Sequence, residues 1–458
     1  MTPRATSLLR QLGLVSATAL VVSNMIGAGI LTTTGFLAGQ LGSAQWVLLI
    51  WFVGAVCALA GAFCYSELGV NFPSSGGEYV YLTQAFGPTW GFMTGWVSFF
   101  AGFSAPIAAA ALGFSDYLGY FFPALKLENA RHIAGSGAWE FKFGWPQLAA
   151  CALVAVFTVL NCLGVRRTAR VQNVLTSVKV LVLIAFIAAG FAFGEGNWDN
   201  FAHPAVRTSA TPIFSQFIVS LFFIYVAYSG WNAATYVAEE LRSPARTLPL
   251  SLAWGTAFVA VLYVALNVLF IYAMPLESMK GVVAIGALAA THLFGPAVAG
   301  VFSAAMVLSL LATVNAMTTI GPRVYYAMAK NGAFFAAAAR VHPRWRTPVT
   351  AIVCQGICTM LMTASPFLNL LFYIGFLLNF FAVMSVASLF IFRRRAGWRK
   401  LPVVSFAYPL VPAFFVLIGI WMTIFGMTFR PEISAFAVLT VAAGALVYHL
   451  HIRGKTVP

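Results

Sequence analysis

The 458 residues carry 26 Lys and Arg against 11 Asp and Glu, a formal charge of +15, yet charged residues are only 8% of the chain and hydrophobic ones 61%, with a mean hydropathy of +0.89. That balance excludes a soluble globular domain and places the chain in a bilayer. The positions of the cations then matter more than their number, because a basic excess gathered at span ends signals topology and argues against a nucleic-acid partner.

At about 20 apolar residues per crossing, twelve spans are predicted, near 12–38, 44–68, 87–117, 146–165, 171–194, 212–238, 247–274, 296–322, 348–364, 367–392, 406–428 and 433–451. The expected fold class is an all-α integral membrane protein with twelve transmembrane helices. The short N-terminus, with Arg4 and Arg10, leads straight into a first span too long for a cleavable signal peptide. That span is uncharged and carries Gly27-Ala28-Gly29 near its middle; the sixth, also uncharged, carries Ser229-Gly230 near its own. Glycine inside a helix costs about 1 kcal/mol against alanine, and in hydrocarbon any backbone group it frees must be satisfied by protein, ligand or trapped water. Interrupted spans at corresponding places in two halves of a chain point to a solute-binding site at the midplane.

Placing the N-terminus inside puts 19 of the 26 cations on inner segments, among them Arg166, Arg167, Arg170, Arg242, Arg246, Arg323, Lys330, Arg340, Arg344, Arg346, the run Arg393 to Arg395, and Lys455. Six fall on outer loops, and Lys179 lies within the fifth span. Positive-inside reading gives a multi-pass protein of the cell (inner) membrane with both termini cytoplasmic. All six cysteines fall inside predicted spans, so no disulfide is expected; Cys354 and Cys358 share a helix face without His or acidic partners and are read as packing residues.

The longest outer loop, about 118–145, is too short for a soluble domain. One membrane domain is expected, built from a five-helix repeat over 12–194, a second over 212–392, and two appended helices over 406–451. Spans 1 and 6 then hold equivalent places and cross the membrane in opposite senses, a five-plus-five inverted repeat with helices 1 and 6 broken at midplane. A broken helix offers free N–H groups at the start of one half and free carbonyls at the end of the other. A zwitterion uses both: a carboxylate on the N–H groups of Ala28 and Gly29, an ammonium on carbonyls around Met25, Ile26, Tyr225, Val226 and Ser229. The competing reading is that these glycines only allow close helix packing.

The stretch AYSGWNAATYVAEELRSPARTLP from Ala227 to Pro249 resembles the sixth-helix signature of the L-amino acid transporter family, within the amino acid, polyamine and organocation superfamily. The resemblance continues in GAGIL at 27–31, ELG and PSSGGEYVY between Glu67 and Tyr81, QNVLTSVK ending at Lys179, and PRVYYAMAKNGAFF from Pro322 to Phe335. It implies the inverted-repeat fold, sodium-independent transport of amino acids by alternating access, and exchange, with proton symport as the alternative coupling. It also implies that Asn232 ties the sixth helix to the substrate site, that Tyr263 of the seventh lies near the pocket, and that Asn379 of the tenth faces the cavity. Read alone, Tyr263 and Asn267, one turn apart, form an interhelical hydrogen-bonding pair.

Lys179 lies about 12 Å along its span from a start near Val171, at about 1.5 Å per residue. An ammonium at that depth costs at least ~2.5 kcal/mol unless it faces protein or water. Three roles stand: snorkelling, a fixed tether of the first helix, or a proton carrier. The resemblance places this lysine where sodium-coupled relatives of the fold hold a cation. Glu67, Glu78, Glu239 and Glu240, near Arg242, Arg246 and Arg323, are read as inner-gate ion pairs or ordinary helix-end charge, with Glu67 and Arg323 the gate candidates. This chain has Ala28 where the family often has serine, and Val226 where it often has an aromatic outer gate, so Tyr228 and Trp231 become the candidate lids alongside Tyr225. Loop 118–145 lacks the cysteine by which animal members bind a glycoprotein subunit, so no disulfide-linked ancillary subunit is expected.

No acidic side chain lies near either break, which favours neutral L-amino acids, small or medium, as substrate. The uncharged spans supply no nucleophile and base, acidic pair or metal set, so an intramembrane enzyme is not expected, nor a cofactor or metal. A substrate-gated sensor would use the same site; only flux separates it from a carrier. The partners expected are the amino acid substrate and the lipid bilayer.

Overall fold

The computed structural model describes residues 12–73, 76–137, 140–163, 165–330, 332–345, 347–405 and 407–453; side chains of 165–176 and 327 are not among those described. Arg4, Arg10, Arg346 and Lys455 lie outside the described residues, as do the side chains of Arg166, Arg167 and Arg170.

Apolar runs without water leave the backbone only its own N–H and C=O groups as partners, and the chain is accordingly helical almost throughout. The first half comprises α1 (Leu14–Met25), α2 (Ala28–Thr32), α3 (Thr34–Leu41), α4 (Ala44–Asn71), α5 (Glu78–Phe86), α6 (Pro88–Leu118), α7 (Trp145–Cys162) and α8 (Val165–Phe193). The second comprises α9 (Ile213–Tyr228), α10 (Pro244–Ala273), α11 (Ile285–Phe294), α12 (Pro296–Lys330), α13 (Val349–Met362) and α14 (Phe367–Phe392), followed by α15 (Leu410–Phe429) and α16 (Pro431–Val447). A two-stranded antiparallel ribbon, β1 (Arg131–Ala134) and β2 (Phe141–Phe143), lies on the connection between α6 and α7, and Lys142 N donates to Ala364 O at 2.8 Å.

Among the described residues ten helices are long and apolar enough to cross a membrane. The two predicted spans that are not among them are α8, whose described apolar part is Ser177–Phe193, and α13. The 14 residues of α13 extend about 21 Å, short of a hydrocarbon core of about 30 Å.

Element ends follow local chemistry. Ser43 caps α4 by accepting from Trp46 N at 3.3 Å. Gly87 at φ +96 ends α5 and Pro88 starts α6; Gly295 at φ +81 ends α11 and Pro296 starts α12. The two helix–Gly-Pro–helix turns fall at corresponding places in the two halves, after the second and the seventh predicted spans. One continuous apolar core runs through α1, α4, α9, α10 and α14, and inside it lie both interruptions.

Candidate functional site at two broken helices

The first interruption is two residues long. α1 ends at Met25; Ile26 (φ −73, ψ 97) and Gly27 (φ −134, ψ −157) are extended, and α2 begins at Ala28 with no side-chain cap, so its first N–H groups lack the usual partner. Thr33, in the αR region, carries the helical path from α2 into α3. The freed carbonyls at the end of α1 are held by side chains from distant helices. Tyr263 of α10 donates its hydroxyl to Met25 O at 2.6 Å, and Lys179 of α8 donates Nζ to Ser23 O at 3.1 Å and to Ile26 O. Lys179 is 1% exposed. Its helix begins at Val165, before the expected start, which puts the residue about 21 Å from that end at about 1.5 Å per residue; the ammonium turns inward to the break and does not snorkel.

The second interruption runs from Ser229 to Asn232, between α9 and a 3-10 helix over Ala233–Glu240. Gly230 takes φ +99, which only glycine adopts without strain. Ser229 folds back, donating both N–H (3.1 Å) and Oγ (2.7 Å) to Val226 O. The carbonyl of Val226, expected to meet a substrate ammonium, is thereby used, as are those of Met25 and Ile26. The remaining carbonyls of the last turn, Tyr225, Ala227 and Tyr228, lie beyond the regular i to i+4 ladder. Asn232, at the far end of the break, donates Nδ2 to Glu78 Oε1 at 2.6 Å.

The interruptions interlock. A Cβ on Gly29 would meet Ala227 Cα at 2.4 Å, and one on Gly230 would meet the carbonyl carbon of Asn24 at 2.7 Å. Both glycines serve close packing of one break on the other, the reading that competed with a substrate role. Gly27 differs, since a Cβ there would meet Thr313 Cγ2 at 3.8 Å and Met25 O at 3.9 Å, ordinary van der Waals distances at which a methyl fits without displacing a neighbour.

Other predicted residues are placed differently from expectation. Glu67 does not pair with Arg323: its carboxylate accepts Arg393 Nε (2.7 Å) and Nη2 (2.5 Å), Trp398 Nε1 (2.8 Å) and Leu401 N (2.9 Å), while Arg323 is exposed on α12. Tyr228 is buried with its hydroxyl on Trp51 O at 3.1 Å, in an aromatic group with Trp51 and Tyr263. Trp231 is buried against Tyr65, ring centroids 4.7 Å apart. Both large rings pack between helices, and with Tyr225 they line a small cavity that also touches Gly54 and Cys57. Tyr225 donates to Leu378 O at 3.3 Å. Asn379 turns away toward α15, donating to Gly419 O at 2.9 Å and Thr423 Oγ1 at 3.2 Å. Asn267 donates to Tyr263 O at 2.8 Å and accepts Thr34 Oγ1 at 2.7 Å.

Sequence reasoning missed the hub at Glu78, grouped there with the gate acids, and Trp51, whose ring backs Tyr228 and Tyr263. A signal for Glu78 was present in the two glycines that precede it at the head of an amphipathic helix.

A family model described as amino acid permease matches residues 12–446, which includes both interruptions, Glu78 and Lys179. The chain belongs to the amino acid permease family. It is similar to the large neutral amino acids transporter small subunit 2 of Mus musculus, 30% identical over 475 residues that cover 99% of this chain and 83% of the relative. It is also similar to the b(0,+)-type amino acid transporter 1 of Mus musculus (27% over 462 residues; 99% and 90% covered) and the Asc-type amino acid transporter 1 of Mus musculus (26% over 460 residues; 99% and 83%). Membership in this family, with ten long apolar helices among the described residues, makes the chain a multi-pass membrane protein.

Proposed function

We propose that this permease carries neutral L-amino acids across the cell (inner) membrane by alternating access, without sodium and by exchange. The observation that carries the reading is the meeting of two interlocked helix interruptions in one buried region, with the Lys179 ammonium on the last carbonyls of α1; contrary to the expectation that no acidic side chain lies near either break, the Glu78 carboxylate meets the second, where Asn232 and Tyr236 engage it. A substrate carboxylate would take the uncapped amides of Ala28 and Gly29. Its ammonium would take the remaining carbonyls at the end of α9, around Tyr225. Ser229 and Val226, bonded to each other, and Asn232 would shape the second interruption, while Met25, Ile26 and Tyr263 would set the first.

Sodium independence is supported by Lys179, because a resident ammonium holds the same carbonyls that a sodium ion would need. Its full burial also supports the alternative of proton symport, in which the lysine gives up a proton during the cycle. The relatives named for large neutral and Asc-type amino acid transport support the substrate class. The matched helix–Gly-Pro–helix turns at 87–88 and 295–296 support twelve spans arranged as two inverted five-helix repeats, and the cation distribution supports cytoplasmic termini. With no cysteine in loop 118–145, the reading includes no disulfide-linked ancillary subunit; Tyr228, Trp231 and Arg323 stay gate candidates, as does Glu67, whose partner is Arg393.

Uptake of labelled neutral L-amino acids into sodium-free proteoliposomes of the purified protein tests this. Uptake that needs unlabelled amino acid inside establishes exchange. Uptake into empty vesicles, raised by an inward proton gradient, establishes symport. Binding without flux under either condition would make the protein a sensor and end the proposal.

A further inference from the structure

Glu78 is the first residue of α5, a nine-residue helix, and its carboxylate gathers donors from three elements. Oε1 accepts Asn232 Nδ2 at 2.6 Å and Tyr65 OH at 3.2 Å; Oε2 accepts Tyr236 OH at 2.5 Å. Asn232 Nδ2 also lies 3.2 Å from Tyr236 OH. Among the described residues no ion pair reaches this carboxylate, in contrast to Glu67, which Arg393 neutralises. A carboxylate without a cation is stabilised here by three neutral donors and by its place at the positive end of a helix dipole.

The backbone is shaped to bring it there. Gly77 takes φ +49, and a Cβ on it would meet the Tyr236 ring at 2.5 Å. Any side chain at 77 would push α5 off the ring that Glu78 bonds. The pair of glycines and the acid therefore work as one device that presses a helix end against the lower part of the second interruption.

We propose that Glu78 is a positioning residue for the substrate site: its carboxylate fixes Asn232 and Tyr236, and through them the path of residues 229–240, so that the end of α9 is held ready for substrate. This rests on the reading of the two interruptions as the substrate site. As the side chains lie, Asn232 Nδ2, Tyr65 OH and Tyr236 OH all donate, and a carboxylate with two acceptor oxygens receives all three without any of them turning. The amide of Glu78→Gln has one oxygen, so its NH2 group faces a donor unless Asn232 or Tyr236 turns away from the arrangement seen here. Losing one charge-assisted hydrogen bond corresponds to about a tenfold change in an equilibrium.

The test compares wild type, Glu78→Gln, Glu78→Asp and the exchange Glu78→Gln with Asn232→Asp, which restores one carboxylate and one amide in the opposite order. Backbone hydrogen exchange is followed without substrate, and KM and kcat for a neutral L-amino acid are followed in proteoliposomes. Expected for Glu78→Gln is exchange at 229–240 faster by about tenfold with the rest of the chain unchanged, and a KM raised about tenfold with a smaller effect on kcat; the double exchange variant restores both. Wild-type protection and KM in Glu78→Gln overturn the proposal. If Glu78→Gln loosens the whole chain, protection of 229–240 regained in the double variant supports it, and protection still lost there overturns it. A wild type that moves no neutral amino acid defeats the transport reading, while the exchange data still decide the role of Glu78.

Discussion

The two interruptions solve the same backbone problem by opposite means. At Ile26 and Gly27 the chain opens over two residues with ordinary negative φ angles, and the freed carbonyls are taken by donors from other helices, an ammonium and a phenol. From Ser229 to Asn232 it opens over four, with one left-handed glycine; it satisfies itself first, through Ser229, and is then held from outside by a carboxylate on side-chain donors. A cation guards one and an anion the other. The lesson is that a broken helix in a membrane needs donors where its carbonyls end and needs acceptors only where its side chains demand them.

If this contrast is right, alanine at the two glycines has unequal effects. Gly230→Ala should show the largest loss of stability, about 2–4 kcal/mol, since strain at positive φ costs about 1–3 kcal/mol and the new Cβ also strikes the Asn24 backbone. A thermal melt in lipid nanodiscs checks it, and an unchanged midpoint would dismiss the interlock. Lys179→Ala comes next. It leaves two carbonyls without their donor, at about 1–3 kcal/mol for each buried group, so initial uptake should fall at least tenfold while protein abundance is kept. Uptake per molecule equal to wild type would remove Lys179 from the mechanism.

Tyr263→Phe removes a single neutral hydrogen bond to Met25 O, worth about 0.5–1.5 kcal/mol, and should raise KM only several-fold in the same assay. Smallest is Gly27→Ala. The added methyl has room and the backbone is compatible, so stability should stay within about 0.5 kcal/mol of wild type, and any change in transport should depend on the size of the substrate side chain. A melt lowered as far as that of Gly230→Ala would show that the first interruption is packed as tightly as the second, against the contrast.

Much of this was legible in the chain. The helices could be placed within a few residues because a bilayer demands long apolar runs, and the interruptions stood out because glycine in such runs is costly. Lys179 was conspicuous for the same reason, as a charge with nowhere to go. Partner choice was not legible. Glu67 meets Arg393, 326 residues away, and Asn379 faces α15 instead of the interruptions; which way a polar side chain turns around a helix is decided by packing that periodicity alone does not specify. The same holds for the partners of Tyr228 and Trp231, whose rings meet Trp51, Tyr263 and Tyr65. Gly29 and Gly27 look alike in sequence, yet a methyl on one would strike Ala227 while on the other it would make only ordinary contact with Thr313 and Met25.

The central claim is that substrate sits between the two interruptions, beside Gly27. Thiol labelling of Gly27→Cys, read by mass spectrometry with and without amino acid, tests it most directly. The account predicts that neutral L-amino acids slow labelling at residue 27; labelling of residue 27 at the same rate with and without amino acid, in protein that still transports, would contradict it.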